Sequence, residues 1–253
     1  MSNYEEVIKK ADSYSKIFQT KYMGSKDLSQ YALSMQADSF ANVVIDEIGH
    51  VDFFKFNNED LLGFAFSDEY ESTIVINERL HYKNQDVRLG FTIAHEIGHV
   101  VLGHPISKTF TISESLYDET NHYEFEANTF AANLLLPFNV FCRQINKGFH
   151  LKQISAASKI SKSVVTNRIK SILSRRFLLS EEDVNFIYEE YAQCNNKYSV
   201  KKSMLHRMLD QYNMLYSVQQ QSSLYVRLQQ FGNTIANDVL HFHNSIYNQE
   251  ELA

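Results

Sequence analysis

The chain has 253 residues, of which 44% are hydrophobic, 13% aromatic and 21% charged, a globular balance that excludes disorder as the main state. Eight Gly, two Pro and no Trp force few turns and favour long helices over a many-stranded sandwich. The formal charge of −6 hides an asymmetry: Ala127 to Ser180 contains no Asp or Glu but nine of the 24 basic residues, a block that calls for either an anionic partner or a solvated face.

Cys142 and Cys194 make neither a disulfide framework nor a C-x-x-C thiolate site. Residues 1 to 22 are polar without an apolar signal core, and no run of 18 apolar residues occurs. The expectation is a reduced, cytoplasmic protein with no membrane partner. In chain order, residues 4 to 22 read as a helix and 28 to 47 as a second. Val51–Phe56, Leu62–Phe66 and Thr73–Asn77 are short β-branched or aromatic segments between polar turns, and they read as three antiparallel strands. A helix follows over Asp86–Gly103, then a polar, irregular stretch over 105 to 121. The next helix, Tyr123–Leu136, is closed by Pro137. Residues 151 to 173 suggest two short helices. From Glu181 onward apolar positions such as Leu205, Met208 and Leu209 recur at helical spacing. The basic stretch stops near 175 to 182, which divides the chain into 1–150, 151–178 and 179–253.

Residues 95 to 99 read His-Glu-Ile-Gly-His. Positions i and i+4 of a helix lie about 40° apart around its axis, so His95 and His99 project side by side and can share one metal ion. Glu96 stands beside them as the general base for a metal-bound water. Ile93, Ile97, Val100 and Val101 mark the side that faces the core. A catalytic zinc needs a third protein ligand and an open position. His104 lies five residues after His99, whereas the extended three-histidine pattern needs six, and His122 has less support. The 123–136 helix offers two acids about 200° apart. Glu124 borders the Ala127, Phe130, Ala131, Leu134 stripe and shares a face with Asn128, so Glu124 is the chosen ligand and Glu126 reads as a solvated surface acid. Small Ala127 and Ala131 let the two helices approach. Asn128, one turn beyond Glu124, would accept the ring N–H of a ligand histidine.

The run Arg88-Leu-Gly-Phe-Thr-Ile-Ala-His-Glu-Ile-Gly-His99, with Leu102-Gly-His104 after it and Glu124-Phe-Glu-Ala-Asn-Thr-Phe-Ala-Ala-Asn-Leu-Leu-Leu-Pro137 further on, resembles the ImmA/IrrE family of metallo-endopeptidases, with HExxH and a gluzincin-like third ligand. Ile74-Val-Ile-Asn77 is similar to that family's strand before the active-site helix. Leu136 departs from the Met common there. The resemblance covers roughly residues 45 to 175. With the periodicity above, it leads to the expectation of an α+β chain: a mostly helical zincin-like domain with a small antiparallel three-stranded sheet, a helix-turn-helix-like segment and, beyond the resemblance, an all-helical C-terminal region. It also implies Zn2+ as cofactor and selective cleavage of a protein substrate, a helix-turn-helix transcriptional repressor, releasing mobile-element or stress genes. His95, His99 and Glu124 then hold the metal, which other divalent ions could replace. Glu96 is the catalytic base, an extended substrate adds alongside Thr73–Asn77, and Tyr123 or His122 could assist the oxyanion.

Residues 151 to 173 have a helix-turn-helix cadence, with Ile154, Ala157, Ile160, Val164, Val165, Ile169 and Ile172 as a small core. Lys162, Asn167, Arg168, Lys170 and Arg175 are the candidate nucleic-acid contacts; the plainer reading is a solvated basic face. The alternative function is therefore a DNA- or repressor-binding regulator with a non-catalytic metal site, against which stands the lack of a fourth protein ligand. His241 and His243 fall on different helix faces and predict no metal.

Overall fold

The computed structural model describes residues 4–20, 27–29, 31, 49–56, 61–67, 72–82, 86–104 and 122–220. The irregular 105–121 stretch, His241 and His243 lie outside these residues, as does nearly all of the helix expected over 28–47. The architecture is α+β. Among the described residues no helix is long and apolar enough to cross a membrane.

Three strands, β1 (Gly49–Phe54), β2 (Gly63–Ser67) and β3 (Ser72–Asn77), pair in the order β1-β3-β2. β2 runs antiparallel to β3, but β1 pairs parallel with β3, Gly49 opposite Ser72 and Phe54 opposite Asn77. The all-antiparallel expectation is thus corrected to a mixed sheet. The physical reason is burial. Thr73 to Asn77 are buried on both faces, and a strand buried on both faces belongs at the centre of a sheet. β3 therefore inserts between β1 and β2. Asn77 closes the strand: its Nδ2 donates to Leu61 O at 2.9 Å and its Oδ1 accepts from Arg79 N at 3.2 Å, starting the short helix Arg79–Tyr82.

The helix Asp86–Leu102, hereafter the His helix, is buried continuously from Thr92 to His99. The helix His122–Leu135, hereafter the Glu helix, buries Ala127, Phe130, Ala131, Leu134 and Leu135. An N-terminal helix, Tyr4–Phe18, buries Val7, Ala11 and Phe18 at helical spacing. Its Tyr14 ring meets Phe130 edge-on at 6.1 Å, and Lys10 Nζ donates to Val101 O at 3.2 Å. This helix therefore braces both motif helices.

The chain divides into two compact units, residues 1–144 with 152–168, and residues 145–151 with 169–253. Of the 151–178 segment, residues 152–168 fall in the first unit, and 151 and 169–178 in the second. In the first unit, helix Leu151–Ser158 buries Ile154 and Ala157, and Ser158 Oγ accepts from Gln144 Nε2 at 3.1 Å. In the second unit, helix Glu181–Ala192 starts from Ser180, whose side chain accepts from Asp183 N, and helix Lys197–Lys202 starts from a reciprocal Asn196–Ser199 cap. Tyr191 is buried there and donates to Phe149 O at 2.7 Å. Helix Met204–Gln220 follows.

Candidate metal centre

The motif helices approach closely because one residue of the His-Glu-Ile-Gly-His run has no side chain. A Cβ at Gly98 would lie 3.2 Å from both Ala127 Cα and Ala127 O, tighter than ordinary van der Waals contact. Gly98 and Ala127 together set the spacing that brings Glu124 to the histidines.

His95 Nε2 lies 3.0 Å from His99 Nε2 and 3.1 Å from Glu124 Oε2, and His99 Nε2 lies 3.4 Å from Glu124 Oε1. Donors bound to a tetrahedral zinc at about 2.0–2.1 Å sit roughly 3.4 Å from one another, so the three separations suit one small cation. Among the described residues this trio is the set of metal-ligating side chains that converges in this way. Glu124 Oε1 is buried and makes no hydrogen bond, a costly state that a cation relieves. The donors present thus fit a divalent ion of the zinc class.

The electrostatics are those of a site built around positive charge. Burial opposes a charge on His95, but its hydrogen bond with Glu124 and the charges of Glu96 and Glu124 outweigh that and raise its pKa. Burial alone would raise Glu124, yet the His95 and His99 rings beside it hold it well below the usual carboxylate range. Burial lowers His99. Glu96, only 2% exposed, is pushed up by burial to about 7.

The sequence-predicted residues His95, Glu96, His99, Glu124 and Asn128 all fall in the first unit, on the two motif helices. Asn128 Oδ1 sits 2.9 Å from His95 Nδ1. His122 is exposed, and the Tyr123 ring lies 4.8 Å from that of His104.

Glu126 corrects the sequence reading. It is not a solvated acid: its side chain is 14% exposed and its Oε2 lies 2.9 Å from His104 Nε2. His104, set aside as a ligand, is 5% exposed, and its Nδ1 lies 3.0 Å from His99 Nδ1. The turn that places it is visible. Gly103 N donates to Val100 O and His104 N to His99 O, with Gly103 at φ +69°, the paired bonds of a Schellman helix end. A Gly immediately past a helix, followed by His, is the signal that could have found it.

The candidate nucleic-acid set fares differently. Arg168 is 6% exposed and its Nε donates to Leu136 O at 3.3 Å. It is therefore a buried structural cation and not an outward phosphate contact, because an unsatisfied carbonyl at the end of the Glu helix claims it. Lys170 Nζ donates to Asn185 Oδ1 at 2.8 Å. Lys162 and Arg175 are exposed, and Asn167 is half-buried. These five residues are shared between the two units.

Two histidines one turn apart, with a carboxylate supplied by the adjoining helix, define the class: a chain with a helix-borne His-Glu-x-x-His motif whose side chains could hold a metal ion. Residues 46–170, which contain the whole site, match the Peptidase_M78 family model, described as the IrrE N-terminal-like domain, and this part of the chain belongs to that metallopeptidase family. A relative from Bacillus phage phi105, named "Uncharacterized immunity region protein 2", is 37% identical over 103 residues. That match takes in 41% of this chain and spans 62% of the relative's length.

Proposed function

We propose that the chain is a zinc-dependent endopeptidase that cleaves a selected protein partner, a helix-turn-helix transcriptional repressor, in the cytoplasm. The observation that carries the peptidase reading is the convergence, beside Glu96 in the first unit, of two imidazole nitrogens and a carboxylate, one of whose oxygens is buried without a hydrogen bond. The repressor as substrate is supported by the family match and by a relative whose name places it in a phage immunity region.

His95, His99 and Glu124 would hold the ion. When bound, it lowers the pKa of a water and polarises a scissile carbonyl. Glu96 takes the proton from the water and returns it to the leaving amine, a task suited to a carboxyl poised near neutrality. Asn128 accepts from His95 Nδ1–H, which turns the Nε2 lone pair toward the ion. The substrate cannot add alongside β3, as the resemblance implied, because both its edges are already paired. Among the described residues the outer edge of β2 pairs with no strand, and it takes that place. β2 packs on the His helix, where a Cβ at Gly63 would lie 3.0 Å from Thr92 Cγ2, and an extended peptide can add to an open edge by backbone hydrogen bonds.

The test is co-expression with the transcriptional repressor encoded beside it, followed by mass spectrometry. A discrete repressor fragment should form with the native chain and vanish with Glu96→Gln. A repressor left intact, or cut equally by the Glu96→Gln protein, would overturn the reading.

A further inference from the structure

Two histidines hold the site, yet only His95 has an evident orienting partner in the sequence. The other, His99, presents Nε2 to His95 and Glu124 and turns Nδ1 toward His104, 3.0 Å away. His104 in turn presents Nε2 to Glu126 Oε2 at 2.9 Å. These groups stand in a row, buried or nearly so: His99 is 1% exposed, His104 5%, and the Glu126 side chain 14%.

Hydrogen-bond bookkeeping gives the row a direction. An ionised carboxylate only accepts, so His104 Nε2 must carry a proton and donate to Glu126. Neutral His104 then has a bare Nδ1, which can only accept. The proton shared by the two Nδ1 atoms must therefore sit on His99. That leaves His99 Nε2 with its lone pair free, aimed at the point where Glu124 and His95 converge. The opposite tautomer would place an N–H there and block coordination.

We propose that His104 and Glu126 are positioning residues: a two-residue relay that fixes the Nδ1–H tautomer and ring orientation of His99, as Asn128 does for His95. The inference rests on the metal-site reading above and deepens it. It also assigns Glu124 and Glu126, two residues apart on one helix, to opposite ends of the same assembly. Glu124 meets the Nε2 side of His99, and Glu126 reaches its Nδ1 side through His104. Orienting partners of this kind typically change metal affinity by about 10–100-fold when removed.

The test measures zinc affinity by competition with a chromophoric chelator, in the full chain, for native protein, Glu126→Gln, His104→Ala, His104→Asn and the double variant His104→Ala/Glu126→Gln. Far-UV circular dichroism confirms folding of each. Histidine 15N shifts of the metal-free proteins report the His99 tautomer independently of activity. Glu126→Gln should weaken zinc about 10-fold and shift the His99 tautomer populations. His104→Ala should weaken it by about 10–100-fold. The double variant should be no weaker than His104→Ala, because Glu126 acts only through that ring. His104→Asn, whose amide oxygen can still accept from His99 Nδ1, should recover most of the affinity. Folded single variants with native affinity and an unchanged tautomer would overturn the relay alone, as would simple additivity in the double variant. Native protein without zinc affinity would overturn the metal reading and the relay with it.

Discussion

The chain carries two clusters of polar residues that attract attention, the His-Glu-x-x-His centre and the acid-free basic run, and they use their charges in opposite ways. At the centre, buried side chains from two helices turn toward one point and leave a carboxylate oxygen without a hydrogen-bonding partner. Along the basic run three cations are absorbed singly: Arg168 by the Leu136 carbonyl, Lys170 by Asn185, Arg176 by Tyr212, whose hydroxyl accepts from its Nη2 at 2.9 Å. Convergence on a common point marks chemistry, whereas an excess of one sign along a sequence does not, because a long cationic side chain can satisfy a local carbonyl, amide or ring as readily as a phosphate.

The sharpest way to break the contrast is to disarm the centre. Glu96→Gln should keep zinc and lose about 10²–10⁴-fold in cleavage rate, followed as fragment yield from the partner protein, while His99→Ala should lose zinc as well. Equal cleavage by native and Glu96→Gln protein would remove the distinction between the regions. Next, Gly98→Ala pushes a methyl to 3.2 Å from the Ala127 backbone. Thermal unfolding should show a loss of about 1–3 kcal/mol, with weaker zinc binding as Glu124 is moved away; unchanged affinity would mean that helix spacing does not govern the site. Arg168→Ala strips the buried Leu136 carbonyl of its donor and should cost about 1–3 kcal/mol in denaturant unfolding. The smallest effect is expected from Lys162→Ala and Arg175→Ala, both exposed, with stability unchanged within about 0.5 kcal/mol. If these two changes instead abolished a salt-dependent gel shift, the basic run would have a nucleic-acid role after all.

What was legible in the sequence follows the same division. The 3.6-residue period is local and rigid, so the facing of His95 and His99, and the choice of Glu124 with Asn128 over Glu126 for that face, could be read directly. The relay partners could not. His104 reaches His99 only because the chain reverses at Gly103, and Glu126 leaves the apparent solvent face only because that reversal puts a ring above it. Nor could the strand order. Neighbouring strands suggest hairpins, and only the burial of both faces of β3 decides that β1 and β2 must flank it. The basic run was legible as composition and misleading as geometry, since nothing local says whether a cation such as Arg168 turns inward.

The helix end at Gly103 leads somewhere further. Among the described residues, its chain neighbours and its own helix backbone aside, no atom lies within 4 Å of where a side chain there would begin, yet its backbone is left-handed. Chirality, more than the described neighbours, therefore governs this position. In a semisynthetic chain, D-alanine at 103 should be accepted and L-alanine resisted, and the stereochemistry of one solvent-facing α-carbon would then decide whether the hydrogen-bonded row behind His99 is assembled.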